Sequence, residues 1–231
     1  MSTQSRPNEL TAIVPIRAGS KGLPNKNIML VNGLPLYMHA VSQAIRTVGS
    51  VVLSTDIESI DEIGLPPFCT LCRRPRELAT DDTPMEDVIR HLIEEQSLVG
   101  TTLVLLQATS PLRSDNDVNA GLSLFKKGHH DLVMSVVERD RSALKYGILE
   151  GTSFGALREP SFCFANRQSL PRIHGPNGAI YIFEAETFIR SNGFPTQKIG
   201  AIEMPIERST DIDDLVDLQL IEKMGLISSN L

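Results

Sequence analysis

Tryptophan is absent from this chain of 231 residues, and tyrosine and phenylalanine number only three and eight. Leu, Ile and Val must therefore carry the core. Three cysteines are too few, and odd in number, for a disulfide framework. Cys69 and Cys72 do form a C-x-x-C, but Phe68-Cys-Thr-Leu-Cys-Arg-Arg74 reads as a strand. Residues three apart on a strand face opposite sides, and no second pair of cysteines or histidines completes a metal cage. No apolar run approaches the ~18 residues of a membrane span. The stretch Met1 to Glu9 lacks an apolar signal core, which gives a cytoplasmic expectation. A long basic run is also missing: 22 Lys and Arg stand against 28 Asp and Glu, net −6, a poor balance for wrapping nucleic acid. The five histidines are dispersed and none sits beside a nucleophile in a triad-like pattern, so His-based nucleophilic catalysis has little support.

What is present is an alternation of short apolar runs and helical periods. Leu10 to Ile16, Ser50 to Ser54, Phe68 to Cys72 and Thr101 to Leu106 read as strands. Helical stripes lie between or after them, over Leu34 to Val48, Met85 to Leu98 and, opened by Ser114-Asp-Asn-Asp117, as far as Lys127. Leu132 to Val137 is another strand. The expected fold is α/β, a mostly parallel doubly wound (Rossmann-like) sheet with helices on both faces. The rhythm breaks from 138 to 176, a stretch rich in Gly, Pro, Arg and Ser that we read as a strand-containing insertion. It resumes with a strand over Gly178 to Phe183, a short helix from Ala185, a strand over Ile199 to Met204 and a last helix from Ile212 to Met224. The expected organisation is one α/β domain, 1–137 with 177–231, interrupted by the insertion 138–176.

Such sheets bind ligands beyond the carboxyl ends of their strands. Three loops there have suggestive chemistry. Arg17-Ala-Gly-Ser-Lys-Gly-Leu-Pro-Asn-Lys-Asn27 combines glycines, which admit close backbone approach, with cations that offset phosphate charge. It is neither a Walker A loop nor a G-x-G-x-x-G fingerprint; a flexible basic surface loop is the alternative. Gln107-Ala-Thr-Ser-Pro-Leu-Arg113 ends the most apolar strand with an amide able both to donate to and accept from a base edge; a plain turn would look the same. Ser209-Thr-Asp-Ile-Asp-Asp214 places Asp211 and Asp213 on one side of an extended segment, which suits Mg²⁺; helix capping is the alternative.

Taken in order, Ile16 to Asn27, Ser54-Thr-Asp56, Arg74-Pro-Arg-Glu-Leu-Ala79, Gln107 to Arg113, Pro176-Asn-Gly-Ala-Ile-Tyr181 and Asp211-Ile-Asp213 resemble the acylneuraminate cytidylyltransferase (CMP-sialic acid synthetase) family, over about Leu10 to Gly225. Lys21-Gly-Leu-Pro24 resembles the sialic acid branch more than the octulosonate one. The resemblance implies CMP transfer from CTP to the anomeric hydroxyl of a nonulosonic acid, with Mg²⁺ as cofactor and pyrophosphate as product. Legionaminic, pseudaminic or octulosonic acids are alternative acceptors, and a non-catalytic nucleotide-binding protein is another reading. It implies that Arg17, Ser20, Lys21 and Lys26 hold the triphosphate, that Asn27, Arg74 and Gln107 meet the cytidine, and that Asp211 and Asp213 hold Mg²⁺. Arg17, Lys21, Asp211 and Asp213 would be catalytic. Gln107, Lys145, Arg167 and Asn177 would meet the sugar acid, and Tyr181 and Phe194 would flank its acyl group. It also implies a homodimer whose insertion reaches over the partner's site, so that Lys145 and Arg167 act in trans. Two departures stand out: Gly175 replaces a frequent Arg before Pro-Asn-Gly, and no hydroxyl for cytosine can be placed near Thr83-Pro-Met-Glu86.

Overall fold

The computed structural model describes residues 9–19 and 22–224. Ser20 and Lys21, both expected at the triphosphate, lie outside the described residues. Strands β1 (Glu9–Pro15), β2 (Leu30–Val31) and β3 (Leu34–Pro35) lead to helix α1 (Leu36–Thr47). Then come β4 (Val51–Thr55), the four-residue α2 (Ile60–Ile63), β5 (Cys69–Arg73), α3 (Met85–Glu95), β6 (Thr101–Leu106), α4 (Asp115–Phe125) and β7 (Leu132–Arg139). After the hairpin β8 (Gly147–Glu150) and β9 (Ser153–Ala156), the chain returns through β10 (Ile173–Glu184), α5 (Ala185–Arg190), β11 (Ile199–Glu203) and α6 (Leu215–Met224).

Seven strands form one sheet in the order β11-β7-β10-β6-β1-β4-β5. β10 runs antiparallel to both β6 and β7, while the other pairings are parallel. The sheet is therefore mixed but mostly parallel, as expected. β7 and β10 extend further into the insertion than the sequence pattern indicated, and pair from Ile173 opposite Arg139. The helix expected from Leu34 begins two residues later, because Leu34 and Pro35 pair with Val31 and Leu30.

Alternation within each strand divides the core into two layers. Val14, Leu53, Leu106, Ile180 and Ile182 pack with α1 and α4 through Ala40, Val41, Val118 and Leu122. On the other face Ile13, Leu103, Leu105 and Phe183 meet Ile89, Leu92 and Ile93 of α3 and Phe188 of α5. Cys69 joins the first layer and Cys72 the second, so the C-x-x-C sulfurs face opposite ways and both thiols are free. α4 starts at a capping box: Asp117 N–H donates to Ser114 Oγ (3.3 Å), and Ser114 N–H to Asp117 Oδ2 (2.8 Å). No helix among the described residues is long and apolar enough to cross a membrane.

Candidate functional site

A pocket opens where β1, β4, β5 and β6 end, lined by Ile16, Arg17, Lys26, Asn27, Arg74, Met85, Gln107 and Thr109 among others. The described residues of the loop after β1 are tied to the body. Asp56, at the end of β4, accepts the Ala18 N–H (2.9 Å), and Asn27 Nδ2 donates to the Arg17 carbonyl (2.9 Å). Leu23 is buried against Leu36, Leu112, Ile212, Leu218 and Ile221, which docks the loop on α6. Gly22 admits the approach: a Cβ there would stand 2.4 Å from the Asp213 carbonyl oxygen.

Lys26 makes the link electrostatic as well. Its buried Nζ donates to the Ile212 carbonyl (2.5 Å) and to Asp213 Oδ1 (3.2 Å). Two of its three donors are thus engaged, and one remains for a ligand. So stretches nearly two hundred residues apart in sequence meet at one pocket edge.

Arg74 forms another wall. The residue is 7% exposed, and its guanidinium donates from Nε to Ser54 Oγ (3.2 Å) and from Nη2 to the Ser54 carbonyl (3.0 Å). Burial lowers its pKa to about 10, against a favourable field from Asp56 and with a further lowering from Arg17. It remains a cation at neutral pH, held for a partner that enters the pocket. Gln107 follows β6 and lines the same pocket. Beneath it, fully buried Arg113 donates to Gln43 Oε1 (2.7 Å) and to the carbonyls of Gln107 (3.2 Å) and Ala179 (2.8 Å). The arginine at the end of the Gln107 motif is thus a positioning group; desolvation lowers its pKa to about 10 as well. Near cytosine's expected place, Met85 lines the pocket instead of a hydroxyl. The Thr83 hydroxyl is taken up by Thr80 Oγ1 (2.7 Å) and the Glu77 carbonyl (3.3 Å).

Between Asp211 and Asp213, Ile212 is fully buried, and its N–H donates to the Thr109 carbonyl (2.8 Å). Both acids therefore leave the core together, as alternation predicts. Asp211 keeps surface area as a residue, but protein atoms crowd its carboxyl. Desolvation raises its pKa, the charges of Asp213 and Asp217 add to that, and the Thr109 side chain and Lys26 oppose it. Capping is present too, but one residue on: Asp214 Oδ1 accepts the N–H groups of Val216 (2.8 Å) and Asp217 (3.0 Å). Asp211 is thereby left over from capping. Among the described residues no cluster of three or more His, Cys, Asp or Glu side chains forms a cage. Two mutually repelling carboxylates, one of them bonded to the pocket-lining Lys26, still fit Mg²⁺, which takes one or two protein carboxylates and completes its shell with phosphate and water.

The residues expected at a sugar acid are split. Tyr181 stacks on Phe194 (centroids 5.2 Å apart), and Phe194 also meets Phe183 and Phe188 edge-on. Burial raises the Tyr181 pKa, and Asp211 adds to this, so the ring lies within the field of Asp211. Asn177 is buried and engaged within the protein: it accepts from Ser135 Oγ (2.5 Å) and donates to Ser209 Oγ (2.9 Å) and the Met204 sulfur (3.3 Å). It pins the irregularity in β10, between Pro176 and Tyr181, to the segment that carries the acid pair. Lys145 and Arg167 do not line the pocket; Arg167 pairs with Asp140 (3.1 Å) at the surface. Beside Gly175, Arg139 fills the space a side chain would occupy, its Cγ and Nε 3.3 and 3.4 Å from an ideal Cβ. A cation thus reaches position 175 from the neighbouring strand.

A family model described as cytidylyltransferase matches residues 11–146, more than half of the chain. The chain belongs to the cytidylyltransferase family. It is 31% identical over 205 residues to the N-acylneuraminate cytidylyltransferase of Streptococcus agalactiae serotype V, covering 87% of this chain and 49% of that protein. It therefore spans about half the length of that relative. It is 28% identical over 228 residues to the CMP-N,N'-diacetyllegionaminic acid synthase of Legionella pneumophila, covering 93% of this chain and 95% of that one. In fold it is similar to CMP:2-keto-3-deoxy-manno-octonic acid synthetase complexed with CTP, with TM-score 0.69, 15% identity, and coverage of 94% of this chain and 98% of that one. The sequence alone gives no role to Ser54, Asp56, Thr109 or Arg113. The bonds of Ser54 to Arg74 and of Asp56 to the Ala18 N–H supply one for two of them.

Proposed function

We propose that this chain transfers CMP from CTP to the anomeric hydroxyl of a nonulosonic acid, N-acylneuraminate-like, and releases pyrophosphate. The observation that carries this is the meeting of the loop after β1 with the acid pair through Lys26, in a pocket lined also by Gln107 and the buried Arg74. A triphosphate carries about −4 charge, and a protein of net −6 must set local cations against it. Arg17 and Lys26 provide two, Lys21 of the same loop would add a third, and Ser20 would add a neutral hydroxyl donor. Arg74, Asn27 and Gln107 form a pocket for cytidine, with Met85 as its apolar side.

The sugar's hydroxyl oxygen attacks the α-phosphorus, the bond from that phosphorus to the bridging oxygen breaks, and pyrophosphate leaves with those electrons. The hydroxyl proton passes to solvent. Such transfers depend on positioning and charge neutralisation more than on covalent help from the protein. Asp211 and Asp213 would hold Mg²⁺, which would neutralise phosphate charge and lower the hydroxyl's pKa. Tyr181 and Phe194 offer an aromatic face for an N-acyl group, and Asn177 holds the β10 irregularity in place beneath it.

The second half of the reading is a homodimer. The segment 140–172 carries Tyr146, Ile148, Leu149, Phe154, Leu157 and Phe164 largely exposed, Phe164 at 91%. A second copy that covers this face would bring Lys145 and Arg167 toward a partner's pocket. A legionaminic-type acceptor is the alternative, favoured by the near end-to-end match with the Legionella protein. Pyrophosphate release from CTP and Mg²⁺, assayed with neuraminic, legionaminic, pseudaminic and octulosonic acids, tests the proposal. Release only with a nonulosonic acid supports it; no release with any of the four overturns it.

A further inference from the structure

The cation expected to meet the triphosphate first is already occupied. Arg17 lines the pocket, and its guanidinium pairs with Asp81, both side chains being less than a third exposed. Asp81 belongs to the connection between β5 and α3, the same segment that begins with Arg74. Its turn is fixed from within: the hydroxyls of Thr80 and Thr83 lie 2.7 Å apart, the Thr83 N–H donates to the Thr80 carbonyl (3.4 Å), and the Thr83 hydroxyl donates to the Glu77 carbonyl (3.3 Å). The turn thus presents an anion to Arg17 from a rigid mount, at the mouth of a pocket whose other charges, Lys26 and Arg74, are cations.

We propose that Asp81 is a positioning residue that stands in for the ligand's phosphates. It holds Arg17 extended at the pocket, yields it to the triphosphate on binding, and takes it back when pyrophosphate leaves. This rests on the nucleotide reading above. Because Arg17 must give up one anion to gain another, the stand-in weakens the binding of nucleotide and pyrophosphate alike. Its use is to keep the guanidinium ordered in the empty site and to compete with a polyanionic product that would otherwise linger.

Calorimetric titration of the full chain with CTP and Mg²⁺, and separately with inorganic pyrophosphate, tests this without any sugar acid or turnover. Asp81→Asn and Asp81→Ser should each bind both ligands about fivefold more tightly than the native chain, the scale of a partly exposed ion pair. In an Arg17→Gln background the same changes should bring no gain in CTP affinity, because the competition is then gone. Unchanged or weaker binding by the Asp81 variants overturns the proposal, and so does an equal gain without Arg17, which would reduce Asp81 to a diffuse negative charge. If the native chain binds neither CTP nor pyrophosphate, the functional reading falls as well, an outcome distinct from equal binding by all forms.

Discussion

The sheet and the arm between β7 and β10 treat their apolar residues in opposite ways. In the sheet, β4 and β6 are buried at every position, and even polar groups beneath the site, Ser54, Arg113 and Asn177, are buried and hydrogen-bonded. In the arm the hairpin β8–β9 turns Ile148, Leu149 and Phe154 to solvent, and Leu170 alone among its described residues joins the core. Monomeric proteins seldom leave so large an apolar face uncovered. The body closes around its core and holds the pocket; the arm carries an apolar face that the proposed second copy would cover. The proposed recognition is divided in the same way: Arg17, Lys26 and Arg74 line the pocket of the body, whereas Lys145 and Arg167 ride on the arm.

The largest effect should come from the acid pair, which belongs to the body's site but not to its stability. Asp211→Asn should lower turnover about a hundredfold or more, on the scale of losing a major charge-stabilising group. Its folded-state pKa is raised, chiefly by desolvation. The stability tied to its protonation is full below the unfolded pKa and lost as pH rises through the folded one, so at neutral pH the charge is a burden. Thermal unfolding at neutral pH should therefore find Asp211→Asn at least as stable as the native chain; a clear loss of Tm with activity intact would return Asp211 to a structural role.

Phe164→Asp with Leu149→Asp sharpens the comparison from the arm's side. Sedimentation should show dissociation to monomers, with CTP binding unchanged and kcat/KM for the sugar acid down about tenfold or more, the loss of at least one charge-assisted contact. A dimer that survives both substitutions would separate the arm from assembly. Next in size, Arg139→Gln should raise KM for the sugar acid about fivefold at unchanged kcat, as for a single partly exposed cation lost from uniform binding. An unaltered KM would leave Arg139 as mere cover for Gly175. The smallest effect belongs to the body alone. The Asp117 carboxyl is raised by burial but, on balance, held below its usual pKa by Arg208 (Nη2 to Oδ1 2.7 Å) and Ser114. Asp117→Ala should cost about 1–2 kcal/mol in denaturant unfolding with activity kept. Because the folded pKa is depressed, that contribution is present above the unfolded value near 3.8 and lost as pH falls through the folded one.

The elements legible in the sequence were those whose own period decides them. Thr101 to Leu106, buried on both faces, and α4, opened by Ser114 and its acids, stand where the pattern put them, within a residue or two. So do the loops after β1 and β6 and the alternation of Asp211 and Asp213 about Ile212. What was not legible depends on contacts across long separations. Nothing local marks Gly178 to Phe183 as the end of a twelve-residue strand antiparallel to its neighbours; that follows from Ile173 finding Arg139 and Phe183 finding Leu103. Nothing local distinguishes Arg74, set beside a pocket, from Arg113, enclosed beneath one. The six cations and carboxylates of 17–27 and 209–214 read as a ligand site or a solvated face until Lys26 is seen to cross to Ile212 and Asp213.

The convergence at Lys26 is tested most directly by a crystal of the full chain grown with CTP and Mg²⁺. The account predicts cytosine against Arg74, Asn27 and Gln107, phosphates along residues 17–26, and a metal ion between them and the carboxylates of Asp211 and Asp213. A nucleotide bound away from that pocket, or one seated there with its metal far from both aspartates, would contradict it.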